Sequence, residues 1–502
     1  MNTTYIRLDH LYDDLDARML ELRSQHQPVT QSRKIVERAL LDGQAHYGIN
    51  TGFGVLANKR ISSEELLTLQ QNILLSHACG VGEPVPVEVT RLMLQLKIQS
   101  LSLGYSGVSE DTFKQLLKLE EHDILPWIPS RGSVGASGDL APLAHMSLPL
   151  IGRGEVWDKS LSAKIPAAAE LQANGIDPIS LQAKDGLALI NGTQMMAAYG
   201  AFVLERSLVL QREADLLAAM SLEALQGSAT PFDERIHAIR PHHGQQVVAA
   251  NIRKLLQGSE ILASHRDCGK VQDPYSLRCV PQVHGASRDA LDYARNCIEI
   301  ELNSVTDNPL VFEQGDILSG GNFHGQPLAL AMDFSAIALA EIASISERRT
   351  YLLLEGHDGL PKLLMQDTGV NSGFMIPQYT AAALVSENKI LCHPASVDSI
   401  PTSLGQEDHV SMGSISAFKL LAVLKNVEWV LAVELLTSAQ ALDFRKALSP
   451  GHGVALAHQF LRKEIKHAVK DYEVRNDLDQ CAEILRSGSM LKAVEDELGR
   501  LN

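Results

Sequence analysis

Long stretches without proline constrain the fold of this chain more than any other feature of its sequence. Residues 193–226 and 414–444 contain no proline and are rich in Ala and Leu, which favour helices. Residues 328–354 carry apolar side chains at helical spacing, and most of the remaining positions are alanine or serine. A helix that is apolar on nearly every side is a buried helix. We therefore predict long buried helices over these stretches and a further helix over residues 286–303.

Strand signals are few, and the clearest is a short hairpin. Leu310-Val311-Phe312 is predicted to pair with Ile317-Leu318 across the turn Gln314-Gly315-Asp316. The predicted fold is therefore mainly α: an elongated bundle of long, roughly parallel helices with a loop-rich N-terminal region and a few short strands. The change in composition near Gly192 predicts a loop and helix region over residues 1–192, a central helix bundle over 193–445 and a C-terminal helical segment over 446–502.

Charge and cysteine usage narrow the class of protein. The formal net charge of -16 repels phosphate backbones, and no basic patch is long enough to offset it, so we expect no nucleic-acid partner. The six cysteines form no CxxC pair, which favours reduced thiols and a cytoplasmic location. The N-terminus lacks the pattern of a secretory signal, and charged residues such as Lys419 and Glu434 interrupt the most apolar late segment. We expect no membrane association.

The segment that begins at Gly135 reads GASGDLAPLAH and is the first candidate for chemistry. The tripeptide Ala136-Ser137-Gly138 alone is a weak signal, because about a quarter of chains this long contain a given tripeptide of common residues by chance. Ser137 and Asp139 could instead cap a helix that begins near Pro142. The choice between a structural and a chemical role depends on the rest of the sequence.

Several further motifs accompany this segment and together span nearly the whole chain. They are YGINTGFG from Tyr47, NGTQ from Asn191, QDPYSLRC from Gln272, SGGNFHG from Ser319 and QEDHVSM from Gln406. With these motifs the chain resembles the aromatic amino-acid ammonia-lyases. The resemblance implies that Ala136-Ser137-Gly138 cyclises to 4-methylidene-imidazol-5-one, an electrophile that serves as an electron sink without an external cofactor. The chemistry fits the residue types, because the Gly138 nitrogen must reach the Ala136 carbonyl carbon and Ser137 must lose water.

The resemblance also implies how the substrate carboxylate is held. It places the guanidinium of Arg278 against that carboxylate, where a planar fork can bind bidentately. It adds Asn191 and Gln272 as further substrate-binding residues. Each has a plain structural alternative: Asn191 could be the N-cap of the first long helix, and Arg278 could form an ordinary surface ion pair.

Two tyrosines are implied for proton transfer, and the sequence does not choose between them. Tyr47 lies in the first motif and Tyr275 in the third, three residues before Arg278. A neighbouring cation favours the phenolate form of a tyrosine, which makes it a better base. Phe323 is implied to pack beside the electrophile and the substrate. The alternative for Tyr47 and Phe323 is ordinary core packing.

Two residues point to imidazole as the substrate ring. His77 lies in LLSHACG, and Glu407 lies in QEDHVSM, where the tyrosine and phenylalanine enzymes lack this acidic residue. A Glu407 carboxylate can accept a hydrogen bond from an imidazole N–H, whereas a phenyl ring would leave it unpaired at a cost of about 1–3 kcal/mol. We interpret Asp408 and His409 as a structural charge cluster and predict no metal site. The sequence departs from the usual family residues at Val81, Val280, His284 and Gly405.

Together with these two residues, the resemblance implies elimination of ammonia from L-histidine to give trans-urocanate. The resemblance further implies a homotetramer whose active sites are shared between neighbouring chains. One alternative is a tyrosine or phenylalanine lyase, or an aminomutase, of the same family. A second is a catalytically silent structural or ligand-sensing relative, although retention of Ser137, Tyr47, Tyr275 and Arg278 together argues against it.

Overall fold

The fold is dominated by helices, as the sequence predicts. The computed structural model describes residues 5–42, 44–52, 61–265, 269 and 271–502. The α-helices are α1 (Leu11–Leu22), α2 (Gln27–Leu41), α3 (Ser63–His77), α4 (Val87–Ser102), α5 (Glu110–Glu121), α6 (Leu140–Ser147), α7 (Ala167–Ala173), α8 (Asp185–Ile190), α9 (Gln194–Ala224), α10 (Glu234–Ala238), α11 (His243–Leu255), α12 (Glu260–Ser264), α13 (Tyr275–Arg278), α14 (Val280–Leu302), α15 (Gln326–Leu354), α16 (Met375–Leu391), α17 (Gly413–Leu442), α18 (His452–Glu464), α19 (Arg475–Ser487) and α20 (Ser489–Leu498).

The strands are short and pair in twos. The antiparallel pairs in the described residues are β1 (Val81–Pro84) with β2 (Pro129–Arg131), β3 (Glu155–Trp157) with β4 (Lys164–Pro166), and β5 (Leu310–Val311) with β6 (Ile317–Leu318). The last pair is the predicted hairpin, with Leu310 opposite Leu318 and Val311 opposite Ile317. The prediction of a mainly α fold with a few short strands is therefore confirmed.

The long helices agree closely with the proline-free stretches. Helix α9 lies within the stretch 193–226, α15 contains the stretch 328–354 and α17 lies over most of the stretch 414–444. Helix α14 covers all but the last residue of the predicted helix over 286–303. Most of their apolar side chains are buried. The structural alternative for Asn191 is wrong: it is not the N-cap of α9 but the C-cap of the short helix α8, and Gly192, with φ of +130°, lies between the two helices.

The chain divides into two compact units, each made of separate stretches of sequence. The first unit contains residues 1–202, 295–333 and 394–418, and the second contains residues 203–294, 334–393 and 419–502. Helices α9, α14, α15 and α17 each contribute residues to both units. The division at residues 192 and 445 inferred from composition stays a prediction.

Helix α15 is the one helix in the described residues that is long and apolar enough to cross a membrane. Its most apolar 18-residue window has a mean hydropathy of 1.8, and 67% of that window is buried within the fold. Burial of this extent is what a core helix needs, because its apolar side chains are removed from water by neighbouring helices.

The three tryptophans occupy distinct environments. In the first unit, the rings of Trp127 and Trp157 pack against each other with their centroids 4.2 Å apart. In the second unit, the guanidinium carbons of Arg475 and Arg486 lie 4.8 Å and 5.3 Å from the centroid of the Trp429 ring. Contacts of this kind are favourable because the face of an indole ring attracts a cation.

A buried ionic network lies within the second unit. Arg349 and Glu434 are fully buried, and the guanidinium Nε and Nη2 donate to the two carboxylate oxygens at 2.5 Å and 2.8 Å. His284, one of the departures from the family pattern, bonds Asp215 through Nδ1 at 2.8 Å. Burial lowers the pKa of His284, and the Asp215 carboxylate opposes that effect. A buried charge is tolerated only when paired, so these contacts hold the surrounding helices in one arrangement.

A buried carboxyl group in the second unit predicts a pH-dependent stability. Glu223 is buried at the end of α9 and accepts the Gly451 N–H at 2.9 Å and 3.0 Å. Burial raises its pKa from the ordinary value of 4.5 to about 7. Folding therefore favours the protonated form, and this contribution to stability is lost as the pH rises through about 7.

Glu223→Gln should consequently stabilise the protein at alkaline but not at acidic pH. The amide keeps a hydrogen-bond acceptor for Gly451 and removes the ionisation, so the gain in unfolding free energy at about pH 8.5 should be on the order of 2 kcal/mol. Urea unfolding at about pH 5 and about pH 8.5 measures the difference. The exposed Glu497→Gln on α20 is the matched control and should change neither value. An equal effect of Glu223→Gln at both pH values would contradict the prediction.

Candidate active site

The segment around Ser137 is a tight loop between β2 and α6. Ala136 is buried with Val410 and Met412, while Ser137 is half-buried. The loop bonds to the segment before α17, where the Met412 N–H donates to the Val134 carbonyl at 3.0 Å and the Ser411 hydroxyl donates to the Gly135 carbonyl at 3.2 Å. The tripeptide is thus held in place on one side by residues that lie far away in the sequence.

The segment between α8 and α9 holds the other side of the loop. Gly138 pairs with Gly192, and the Asp139 N–H donates to the Gly192 carbonyl at 2.7 Å. Gly138 has φ of +78°, and a Cβ at this position would lie 2.0 Å from the Gly192 carbonyl oxygen. A side chain at residue 138 is therefore excluded both by the backbone conformation and by lack of space.

The Ser137 hydroxyl contacts the carboxylate of Glu407. Its O–H donates to Oε1 with 3.2 Å between the two oxygens, although the two residues are 270 positions apart in the sequence. The second carboxylate oxygen accepts the Thr402 hydroxyl at 2.7 Å. Both Glu407 and Thr402 are half-buried. The structure thereby brings together two residues that the sequence selected separately, and it adds Thr402.

His77 lies at the C-terminal end of α3, in the same unit as Glu407. Its ring is half-buried, and its Nδ1 lies 3.0 Å from the Ser76 hydroxyl oxygen. Burial lowers the pKa of His77, while the Ile73 carbonyl and the Glu407 carboxylate act in the opposite direction. The imidazole is therefore biased toward its neutral form, which can both donate and accept a hydrogen bond.

A buried lysine supports the segment that contains Asn191. The ammonium of Lys97 on α4 donates to the Asn191 carbonyl at 2.7 Å, and burial lowers its pKa to about 7. The side-chain Oδ1 of Asn191 is buried without a hydrogen-bond partner. Asp139 is also buried, accepts the Met196 N–H at 3.0 Å and has its pKa raised to about 7 by burial. An unpartnered buried amide oxygen is costly, which is typical of a group that meets a ligand.

The loop before α15 presents Phe323 half-buried in the first unit. The next residue, His324, stacks on His409 with ring centroids 5.9 Å apart, and its Nε2 lies 3.2 Å from the His409 carbonyl oxygen. The loop with Phe323 is therefore joined to the loop with Glu407. Tyr47 is also half-buried in the first unit, but Phe53 and Gly54 of its motif lie outside the described residues.

The remaining predicted residues belong to the second unit. Gln272 is exposed, Tyr275 is 70% exposed and Arg278 is half-buried. The Arg278 guanidinium carbon lies 4.4 Å from the centroid of the Tyr275 ring, and its Nε is buried without a partner. Gln272 and Arg278 line a cavity of about 1060 Å³ within this unit. The motif QDPYSLRC therefore offers a cation and a phenol in direct contact.

Two residues of the site were missed by sequence reasoning. Lys97 carries a usable signal, because it is the single cation among the apolar residues of α4 that follow Arg91. Thr402 carries none: it follows a proline in a polar loop, and nothing local indicates that it bonds to Glu407. Among the described residues, no group of three or more His, Cys, Asp and Glu is placed to hold a metal ion.

Comparison with known proteins agrees with the geometry. A sequence model of the family described as aromatic amino acid lyase matches residues 15–463. A histidine ammonia-lyase of Sorangium cellulosum is 51% identical over 94% of this chain and 93% of its own length. The structure of histidine ammonia-lyase from Trypanosoma cruzi is 40% identical with a TM-score of 0.88, over 96% of this chain and 93% of that one. Tyrosine aminomutase from Streptomyces globisporus is 35% identical with a TM-score of 0.90, over 97% and 98%.

Proposed function

This chain belongs to the aromatic amino acid lyase family, and on that premise we propose that it is a histidine ammonia-lyase. The reaction is the non-oxidative elimination of ammonia from L-histidine to give trans-urocanate. The proposal is supported by the 51% identity to a histidine ammonia-lyase over nearly the full length of both chains. The observation that carries the choice of substrate is the Glu407 carboxylate beside Ser137.

We propose that the electrophile forms from Ala136, Ser137 and Gly138. The fit is supported by the absence of room for a side chain at Gly138 and by the half-buried Ser137 hydroxyl with its own polar partner. The resulting 4-methylidene-imidazol-5-one supplies an electron sink for the elimination. No other cofactor is needed for a non-oxidative elimination.

Glu407 and His77 are proposed to recognise the imidazole ring. Loss of the Ser137 hydroxyl removes the donor that now occupies Oε1 of Glu407, so this oxygen becomes available to an imidazole N–H. Oε2 keeps its bond from Thr402, which fixes the direction of the free oxygen. A phenyl ring has no donor for it, and the unpaired carboxylate then costs about 1–3 kcal/mol.

The remaining residues are proposed to hold the substrate backbone and move a proton. Arg278 and Gln272 would bind the carboxylate, together with Asn191, whose side-chain N–H groups can donate to it. Tyr47 or Tyr275 would take the β-proton, and Phe323 would pack against the substrate. Holding the substrate in an attack-ready geometry contributes much of the rate of such reactions.

We further propose a homotetramer with shared active sites and a cytoplasmic location. The tetramer is supported by apolar side chains at the surface of the second unit, which on α15 include Phe334 and Tyr351 at 45% and 46% exposure and on α16 include Ile376 and Ile390 at 57% and 75%. Several large apolar side chains left exposed on a folded chain are typical of a surface that another protein chain covers. The location is supported by the scattered cysteines, since the described ones are present as thiols.

The test is an assay of the purified protein on L-histidine, L-tyrosine and L-phenylalanine. We expect equimolar urocanate and ammonia from L-histidine, with kcat/KM at least about 100-fold above that for either other amino acid. Urocanate is followed by its ultraviolet absorbance, and chromatography checks for β-amino acids. D-histidine is the control and should not react. A faster reaction with L-tyrosine, or formation of β-tyrosine, would instead support an aromatic lyase or aminomutase, since a phenol can also donate to Glu407.

A further inference from the structure

The contact between Ser137 and Glu407 concerns an atom that the proposed function removes. The hydroxyl oxygen lies 3.2 Å from Oε1, so the carboxyl group touches the oxygen that must leave when the tripeptide matures. Hydroxide is a poor leaving group, and its departure from a carbon atom is assisted by a proton from a positioned acid. In the observed contact the Ser137 O–H donates to Oε1, so Glu407 acts as this acid once Oε1 carries a proton and the same contact is reversed, with the carboxyl O–H donating to the leaving oxygen.

The loop that carries Glu407 is shaped to hold this carboxyl group in place. Thr402 and Glu407 pair through their backbones, with the Thr402 N–H donating to the Glu407 carbonyl at 2.9 Å. The intervening Ser403, Leu404 and Gly405 all have positive φ, at +51°, +55° and +89°. Two of them are not glycine, so the turn is strained and persists only because its ends are fixed.

The Thr402 side chain completes this arrangement. Its hydroxyl donates to Oε2 of Glu407 at 2.7 Å and leaves Oε1 directed at Ser137. The strained turn and the hydroxyl thus fix both the position and the rotation of the carboxyl group. For recognition of a substrate ring alone, the carboxyl group would not need to contact the hydroxyl of the unmodified tripeptide.

We propose that Glu407, positioned by Thr402, donates the proton with which the Ser137 hydroxyl leaves as water during maturation, an inference that rests on the proposed function. Glu407 then has two successive tasks: it acts on the chain itself before it meets a substrate. Thr402 is a positioning residue, since it contacts the carboxyl group and not the reacting atoms.

The step balances without an oxidant or a reductant. The Cα–H bond of Ser137 breaks, its electron pair forms the Cα=Cβ double bond, and its proton passes to solvent water. The Cβ–Oγ bond breaks with its electron pair on oxygen, which takes the carboxyl proton of Glu407 and departs as water. Glu407 is left as a carboxylate and regains a proton from solvent.

The test follows maturation by mass and therefore does not depend on turnover. Wild type and variants are made by cell-free synthesis. The mass of the peptide that contains Ser137 is then measured by mass spectrometry at intervals. Wild type should become about two waters lighter than its sequence. In Glu407→Gln, which keeps the shape but has no acidic proton, dehydration should slow by about 100-fold or more. Circular dichroism confirms that each variant is folded.

Matched variants separate positioning from general damage. Thr402→Val removes the hydroxyl and should slow dehydration by about tenfold, the effect of losing one hydrogen bond of about 1.4 kcal/mol. Thr402→Ser keeps the hydroxyl and should mature as wild type does. Asp408→Asn changes the neighbouring exposed carboxylate and should have no effect.

The outcomes distinguish failure of this inference from failure of the proposed function. A wild-type peptide of full mass in an active protein would overturn the proposed function and this inference with it. If wild type and Glu407→Gln lose water at the same rate, this inference is wrong and the proposed function stands. If Glu407→Gln does not fold, equal rates for Thr402→Val and Thr402→Ser overturn the inference, and a slower Thr402→Val supports it.

Discussion

Ser137→Ala should leave the purified chain at its full sequence mass and lower the deamination of L-histidine by about a thousandfold or more. Alanine has no β-hydroxyl, so no group can depart from the β-carbon and the electrophile cannot form. The substitution removes one hydroxyl that contacts Glu407 and does not alter the main-chain atoms of the loop. The loss is therefore chemical and not a consequence of unfolding.

Two measurements check this prediction together. Intact mass shows whether water is lost, and near-ultraviolet difference absorbance against wild type shows whether a conjugated group is present. Ser130→Ala is the matched control, because Ser130 is a half-buried serine in the neighbouring strand β2. It should keep both the mass deficit and the activity. A Ser137→Ala protein with wild-type turnover would refute the proposed chemistry.

Arg349→Met should lower the free energy of unfolding by about 3–5 kcal/mol, the largest effect on stability that we expect from one substitution. Both partners of the Arg349–Glu434 pair are fully buried, so the substitution leaves a carboxylate in the interior without its counter-charge. The hydroxyls of Ser221 and Ser346 still donate to Glu434, at 2.7 Å and 2.6 Å. Two neutral donors do not replace a bidentate guanidinium.

A double variant separates loss of charge balance from loss of packing. Arg349→Met with Glu434→Gln contains no buried charge at this position and should recover more than half of the lost stability. Arg349→Lys keeps the charge but not the planar fork, and it should lie between wild type and Arg349→Met. Chemical denaturation followed by circular dichroism measures all of these variants. Equal stability of the single and double variants would show that the charge is not the cause.

The long helices were predictable because their causes are local. Absence of proline, many good helix formers and apolar residues on all sides are each visible within one stretch of sequence. For this reason the predicted helix over 328–354 differs from α15 only by two residues at its start. The separate helix α8, with Asn191 as its C-cap, was not predicted, because it ends where Gly192 adopts a positive φ that glycine permits but does not require.

The sequence selects candidate residues for the site, but it does not show which of them are in contact. Motifs identified Ser137 and Glu407 separately, and their hydrogen bond depends on the path of the 270 residues between them. Thr402 is the clearest example of a residue whose contact the sequence does not predict. Ser403 and Leu404 rarely adopt left-handed backbone conformations, so local rules argue against the turn that brings Thr402 to Glu407. Only the packing at both ends of that turn selects it.

The division of the tryptophans gives each compact unit an optical signal of its own. The chain has three tryptophans, and the contacting pair of Trp127 and Trp157 reports on the first unit while Trp429 reports on the second. In a double variant with Trp127→Phe and Trp157→Phe, all indole emission would come from Trp429. Fluorescence during denaturation can then follow the second unit alone, and its midpoint compared with that of the whole chain reveals whether the units melt in one transition or in two.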